Sequence, residues 1–112
     1  MTNKHYKPLL IESVKANADL IEHRFSGFNG KLCEAGAKAL GVVDATTEKD
    51  QFAPVALFGI LLVEAGGTIA LGDPIISDEN GRAVKAESGA IINGYALDSG
   101  VAGQKIRILK GN

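Results

Sequence analysis

Glycine is the residue that most limits what this chain can become. It supplies 14 of 112 positions, about one in eight against a typical ~7%. Most of these glycines stand singly between short apolar runs. An interior glycine costs a helix about 1 kcal/mol relative to alanine, whereas the same residue is at home in a tight turn. Proline occurs only 3 times, so the chain is not a disordered Pro/Gly tract. Short apolar runs cut by turn residues predict an all-β domain. Hydrophobic residues at 46% and charged residues at 22% are ordinary for a soluble globular domain with one modest core.

Read along the chain, residues 1–7 are polar and Pro8 discourages regular pairing, which predicts a flexible N-terminal arm over residues 1–8 and a single β-rich domain over 9–112. Residues 9–25 are ambiguous. Leu10, Val14, Ala18, Ile21 and Phe25 recur at spacings of three and four, which fits an amphipathic helix. Cutting the same stretch at Ala16-Asn17-Ala18 gives two strands instead, 9–15 and 19–25.

Beyond Phe25 the signals are cleaner. Asn29-Gly30 and Asn80-Gly81 are strong hairpin turns. Strands are predicted at 31–34, 40–45, 55–63, 68–71, 75–77, 82–86, 90–97 and 105–110, with a bend or bulge at Gly59. In the last of them Ile106 and Ile108 point inward while Lys105 and Arg107 point outward. About ten short strands with frequent turns predict a small barrel or sandwich. The turn-and-strand series from Asn29 returns from Asn80, with steps of 51 to Asn80, 53 from Gly41 to Gly94 and 52 from Gly59 to Gly111. Two such units fit a pseudo-symmetric barrel, in which Asp44 and Asp98 occupy matching strand ends.

Composition also excludes function classes. A net charge of −1 and no basic cluster argue against nucleic acid as a partner. The longest apolar stretch, 54–63, is about half a membrane span, and no secretory signal is legible at the N-terminus. Cys33 is a lone cysteine, read as a small buried hydrophobe, with His23 the one candidate partner for a catalytic thiol. His5 and His23 have no ligands at zinc spacing, and Asp78-Glu79-Asn80-Gly81 lacks the oxygen set of a calcium loop. Asp44, Asp73 and Asp98 sit beside turns, where carboxylates accept backbone hydrogen bonds. No catalytic residue, metal or cofactor is expected. The one competing motif runs from Glu64 to Ile75, where Gly66-Gly67 and Gly72-Asp73-Pro74 resemble the turns around the second strand of lipoyl or biotinyl carrier domains. Those domains carry a lysine at a hairpin tip, whereas Lys31 only follows the tip at Asn29-Gly30.

The stretch from Phe25 to Gly111 resembles the tailed-phage capsid cement, or head decoration, proteins. Arg24-Phe25-Ser26-Gly27-Phe28-Asn29-Gly30 carries the likeness, followed by Gly36-Ala37-Lys38-Ala39-Leu40-Gly41-Val42. The segment from Val63 to Ile75, then Gly81-Arg82-Ala83-Val84, Asn93-Gly94-Tyr95-Ala96-Leu97-Asp98 and Ile106-Arg107-Ile108-Leu109 complete it in order. The resemblance implies a β-rich fold, two strands within residues 9–25, and no catalysis. It further implies a virion protein that binds and stabilises the outer surface of a phage or prophage capsid. The expected partners are the major capsid protein and the chain itself as a dimer or trimer, with synthesis in the host bacterial cytoplasm. A flexible arm can add a strand to a partner's sheet, which makes Asn3, Lys4, His5, Tyr6, Lys7 and Pro8 the candidate capsid-binding residues.

Overall fold

The computed structural model describes residues 6–111. It contains β1 (Lys7–Lys15), β2 (Phe25–Ser26), β3 (Gly41–Val43), β4 (Phe52–Glu64), β5 (Pro74–Ser77), β6 (Ala83–Lys85), β7 (Gly94–Ala96) and β8 (Lys105–Lys110), and no helix among the described residues. The strands form one antiparallel sheet in the order β2-β3-β4-β8-β7-β5-β6, with β1 pairing against β4. The sheet curls until its ends meet. The Phe25 N–H donates to the Gly81 carbonyl at 2.6 Å and the Gly36 N–H to the Ser77 carbonyl at 3.0 Å. The result is the small, nearly closed all-β barrel that the glycine pattern predicts.

Residues 9–25 are not helical, and only their first half is a strand. The stretches 19–25, 31–34 and 68–71 were expected to form ladders, which is why the count falls from about ten to eight. Apart from Phe25 in β2, they make single bridges: Leu20 with Thr47, Ser26 with Leu32, and Ile69 with Gly100. The reason is local backbone geometry. His23 (φ 65°), Gly30 (77°) and Gly72 (86°) are left-handed and turn the chain out of the pleat. At the other end, β1 starts earlier than expected, so Lys7 and Pro8 belong to the sheet. Pro8 is tolerated because it lies opposite Gly59, where the β1–β4 register shifts, a place where a missing N–H is accommodated. The rest of the expected arm, residues 1–5, lies outside the described residues.

The internal repeat is carried in the pairing register. Val42 with Ala56 and Val43 with Val55 in β3–β4 return 53 residues later as Tyr95 with Leu109 and Ala96 with Ile108 in β7–β8. Lys15 with Phe52 returns as Glu64 with Lys105, at steps of 49 and 53. Two steps arise because Ser26 to Gly41 spans 15 positions while Ile75 to Gly94 spans 19. On this register Asp44 matches Leu97, and the expected equivalence with Asp98 is off by one. Left-handed positions also coincide: His23 with Gly72, and Asp50 (73°) with Gly103 (90°). β1 is thus the counterpart of the second half of β4, and β4 is shared between repeats.

Two apolar clusters hold the sheet. Ala16, Leu20, Val43, Ala53 and Val55 form one, flanked by Val14, Leu32, Leu40 and Leu57. The larger one fills the barrel and joins Phe25, Val42 and Ala56 of the first repeat to Leu61, Val63, Ile69, Ala96, Ile106 and Ile108 of the second. Each fully buried Val, Leu, Ile or Phe among them contributes about 1.5–3 kcal/mol. Ala56 and Leu61 are five residues apart and would face opposite sides of a regular strand, yet they share the barrel interior. β4 therefore turns over between them, and Gly59 (φ 115°) is where it does so.

A Cβ on Gly59 would lie 2.5 Å from the Lys7 carbonyl oxygen and 2.8 Å from the Leu9 nitrogen. Gly59→Ala is expected to lower the unfolding free energy by at least ~2 kcal/mol. Gly103→Ala, left-handed but with nothing near its Cβ, is expected to cost about 1 kcal/mol. Urea denaturation of both variants beside the wild type checks the order.

Candidate interaction surface

The side chains that sequence reasoning weighed for chemistry are occupied structurally. Cys33 is buried; burial first, then the nearby Glu34 charge, pushes its thiol pKa up against the opposing Ser77 hydrogen bond. It lies against the Glu34 and Ala37 carbonyls, whereas His23 packs edge-on to Tyr6, ring centroids 6.4 Å apart. The structure does not bring the two together. Asp73 accepts the Ala70 N–H at 2.9 Å. Asp98 accepts the Arg107 N–H at 2.9 Å and holds its guanidinium at 3.0 and 3.1 Å. Asp78 accepts the backbone N–H groups of Asn80 and Arg82 and so closes a plain hairpin turn. Among the described residues no His/Cys/Asp/Glu group could hold a metal. Lys31 donates its backbone N–H to Asn29 within the first hairpin turn, off the tip that a carrier lysine would occupy.

What the molecule does present is apolar surface on strands. β1 pairs with β4 along one edge, and it exposes Leu9 (76%), Leu10 (44%) and Ile11 (45%) in succession. A long, apolar, exposed edge strand is a template for pairing with another chain. Of the six residues predicted to bind, Lys7 and Pro8 open this strand. Tyr6 sits just before it, its hydroxyl donating to Asp44 Oδ1 at 2.9 Å. Asn3, Lys4 and His5 lie outside the described residues.

A second surface crosses the outer face of the second repeat. Directly paired residues share a face of a sheet, and one such row runs Pro74, Tyr95, Leu109, Ile60, Lys7 across β5, β7, β8, β4 and β1. Tyr95 and Leu109 are half exposed, at 52% and 51%. Apart from Lys7 and Pro8, the sequence reading named no residue of either surface. The signal was present in both cases. Three consecutive apolar residues cannot all face one core, and the alternation that turns Arg107 outward also turns Leu109 outward.

Among the described residues one charge is buried. Lys110 is 4% exposed and donates to the Gly111 carbonyl at 3.4 Å. Burial first, and the neighbouring Lys38 second, push its pKa down. Its counterpart in the first repeat is Leu57.

The sequence matches the protein family described as phage cement protein over residues 7–110. No curated protein matches it. Among solved structures, the N base of the head fiber gp8.5 of bacteriophage phi29 matches with a TM-score of 0.75. That match covers 91% of this chain and 93% of the other at 18% identity, and at that identity it speaks to the fold.

Two titrations test the local electrostatics. Tyr6 has its pKa raised above 10.0, by burial first and then by the hydrogen bond and charge of Asp44. A raised acid stabilises the fold below the unfolded value and loses that contribution as pH rises through the folded one. Denaturation at alkaline pH is expected to show the wild type losing more stability than Tyr6→Phe. Lys110 has the opposite sign of effect. Its folded pKa is lowered, so the unfolded chain binds the extra proton and wild-type stability rises with pH in the window below 10.5. Lys110→Leu is expected to be more stable by about 1 kcal/mol near neutral pH, with the gap narrowing towards that upper limit.

Proposed function

The chain belongs to the phage cement protein family and is a structural, capsid-associated protein, and we propose that it binds the outer surface of an assembled phage or prophage capsid and stabilises it, without catalysis. The major capsid protein is its partner, it also associates with itself, and it is made in the host bacterial cytoplasm. The observation that carries this reading is the exposed apolar edge strand β1, with Leu9 76% exposed, in a chain that matches the family from Lys7 onward. A shell protein needs rigidity and a large complementary surface more than it needs a pocket. A nearly closed sheet supplies the first. Unpaired main-chain groups along β1 supply the second, since strand addition takes affinity from backbone hydrogen bonds and specificity from alternate side chains.

Asn3, Lys4, His5, Tyr6, Lys7 and Pro8 take part in the capsid contact. Lys7 and Pro8 contribute as the first residues of the strand. Tyr6 anchors its start through Asp44, and Asn3, Lys4 and His5 reach the capsid directly.

Co-sedimentation with capsids lacking the protein tests the proposal. Wild type is expected to pellet with the shells and to raise their resistance to heat. Leu9→Asp is expected to weaken binding at least ~10-fold, and removal of residues 1–5 to weaken it further. Undiminished binding by both variants would place the capsid contact elsewhere.

A further inference from the structure

We infer that the outer row Pro74–Tyr95–Leu109–Ile60 is the face through which this chain binds a second copy of itself. The inference rests on the reading that the chain self-associates, and it names the surface.

The two repeats supply the comparison. The counterpart of this row in the first repeat is Phe25–Val42–Ala56–Ile11, joined by the same direct pairings. There, Phe25 is 0% exposed and Val42 and Ala56 are 2% exposed. What covers them is the inner face of the second repeat: Val63, Ile69, Ala96, Ile106 and Ile108 share their cluster. One copy of the motif therefore already packs this row against another copy of the motif, within the chain. In the second repeat the described residues leave the row open, and Tyr95 and Leu109 stand 52% and 51% exposed.

The composition of the row fits an interface core. It keeps apolar residues at all four positions and grows larger at two of them, from Val42 to Tyr95 and from Ala56 to Leu109. Its charges lie at the margins: Lys7 at the β1 end, and Arg107, two residues before Leu109 and held by Asp98 at 3.0 Å. Interface cores are depleted of charge, enriched in aromatic residues and rimmed by polar groups. The inner face that covers the row within the chain is itself buried, so a second copy meets this row with its own Tyr95–Leu109 row, an isologous contact.

Sedimentation velocity on the full chain tests the inference, with circular dichroism to show that each variant folds. The wild type is expected to sediment as an oligomer. Leu109→Lys is expected to weaken self-association at least ~10-fold and to yield monomer, while Leu9→Asp on β1 leaves the oligomer intact. If Leu109→Lys fails to fold, Tyr95→Lys serves, since Tyr95 is half exposed and its loss removes little core. A wild-type monomer would overturn both self-association and this face. An oligomer unaffected by Leu109→Lys and Tyr95→Lys would overturn the face alone. Variants that stay oligomeric but no longer bind capsids would also overturn it, assigning the row to the shell and leaving the capsid-binding proposal standing.

Discussion

The architecture depends on one backbone event, the reversal of β4 at Gly59. A thirteen-residue strand that kept its alternation would put Ala56 and Leu61 on opposite faces, and the two repeats could not share an interior. The reversal at Gly59 brings the outer row of the first repeat and the inner face of the second to the same side. It takes place against β1, whose register shifts between Pro8 and Leu10 and again between Leu10 and Ile11. The Lys7 carbonyl comes so close that no side chain fits. Glycine satisfies both the dihedral and the space. Everything that makes this a barrel rather than two hairpin sheets in series follows from that position.

Duplication explains why the two halves look alike, and divergence explains why they behave differently. The first repeat closes its own inner cluster with Leu32, Leu40 and Leu57 packed around it. The register places Asn93 opposite Leu40 and Lys110 opposite Leu57. Asn93 is a buried clamp between repeats: its carbonyl oxygen accepts the Ala39 N–H at 2.9 Å and its amide donates to the Ala37 carbonyl at 3.1 Å. Apolar filling in one half thus becomes polar stitching in the other. A satisfied buried amide adds little net stability but fixes geometry, and here it fixes how the repeats meet. Arg24 does similar work from the outside, bridging Glu64 at 3.4 Å and the Asn80 carbonyl at 3.2 Å.

The class of fold was legible because it rests on local chemistry: Asn-Gly turns, isolated glycines and the alternation of the C-terminal strand, whose bounds at 105–110 match β8. The duplication was legible in outline, since turn residues mark it. Its register was legible only at Gly41 and Gly94, whose step of 53 the pairing keeps; the offsets of 51 and 52 miss it, because the variable segment between Ser26 and Gly41 shifts the step from 49 to 53. Strand content was overestimated at 19–25, 31–34 and 68–71. These stretches have strand-like residues, but left-handed positions such as His23 break them, and a histidine does not advertise a positive φ as glycine does. The repeat itself held that information, since the residue matching His23 is Gly72. The exposed outer row was hardest to read. Burial of Val42 and exposure of Tyr95 at equivalent sites depend on what lies across the barrel, and no local pattern encodes that.

The same comparison bears on how a module of this size can act on a shell. At 112 residues the chain buries a modest core, and much of its apolar surface stays outside: Leu9, Phe28, Phe52, Leu71, Tyr95 and Leu109 are each more than half exposed. Larger exposed apolar patches, above roughly a few hundred Å², commonly mark interaction sites. Distributing that surface between an edge strand and a sheet face separates two kinds of contact. An edge strand recruits through backbone groups and tolerates varied side chains, which suits a foreign surface. A sheet face recruits through side-chain shape and favours a partner built on the same spacing. A chain that carries both can be joined to its own kind and to the shell at once, and multivalent attachment multiplies weak single contacts without any new chemistry.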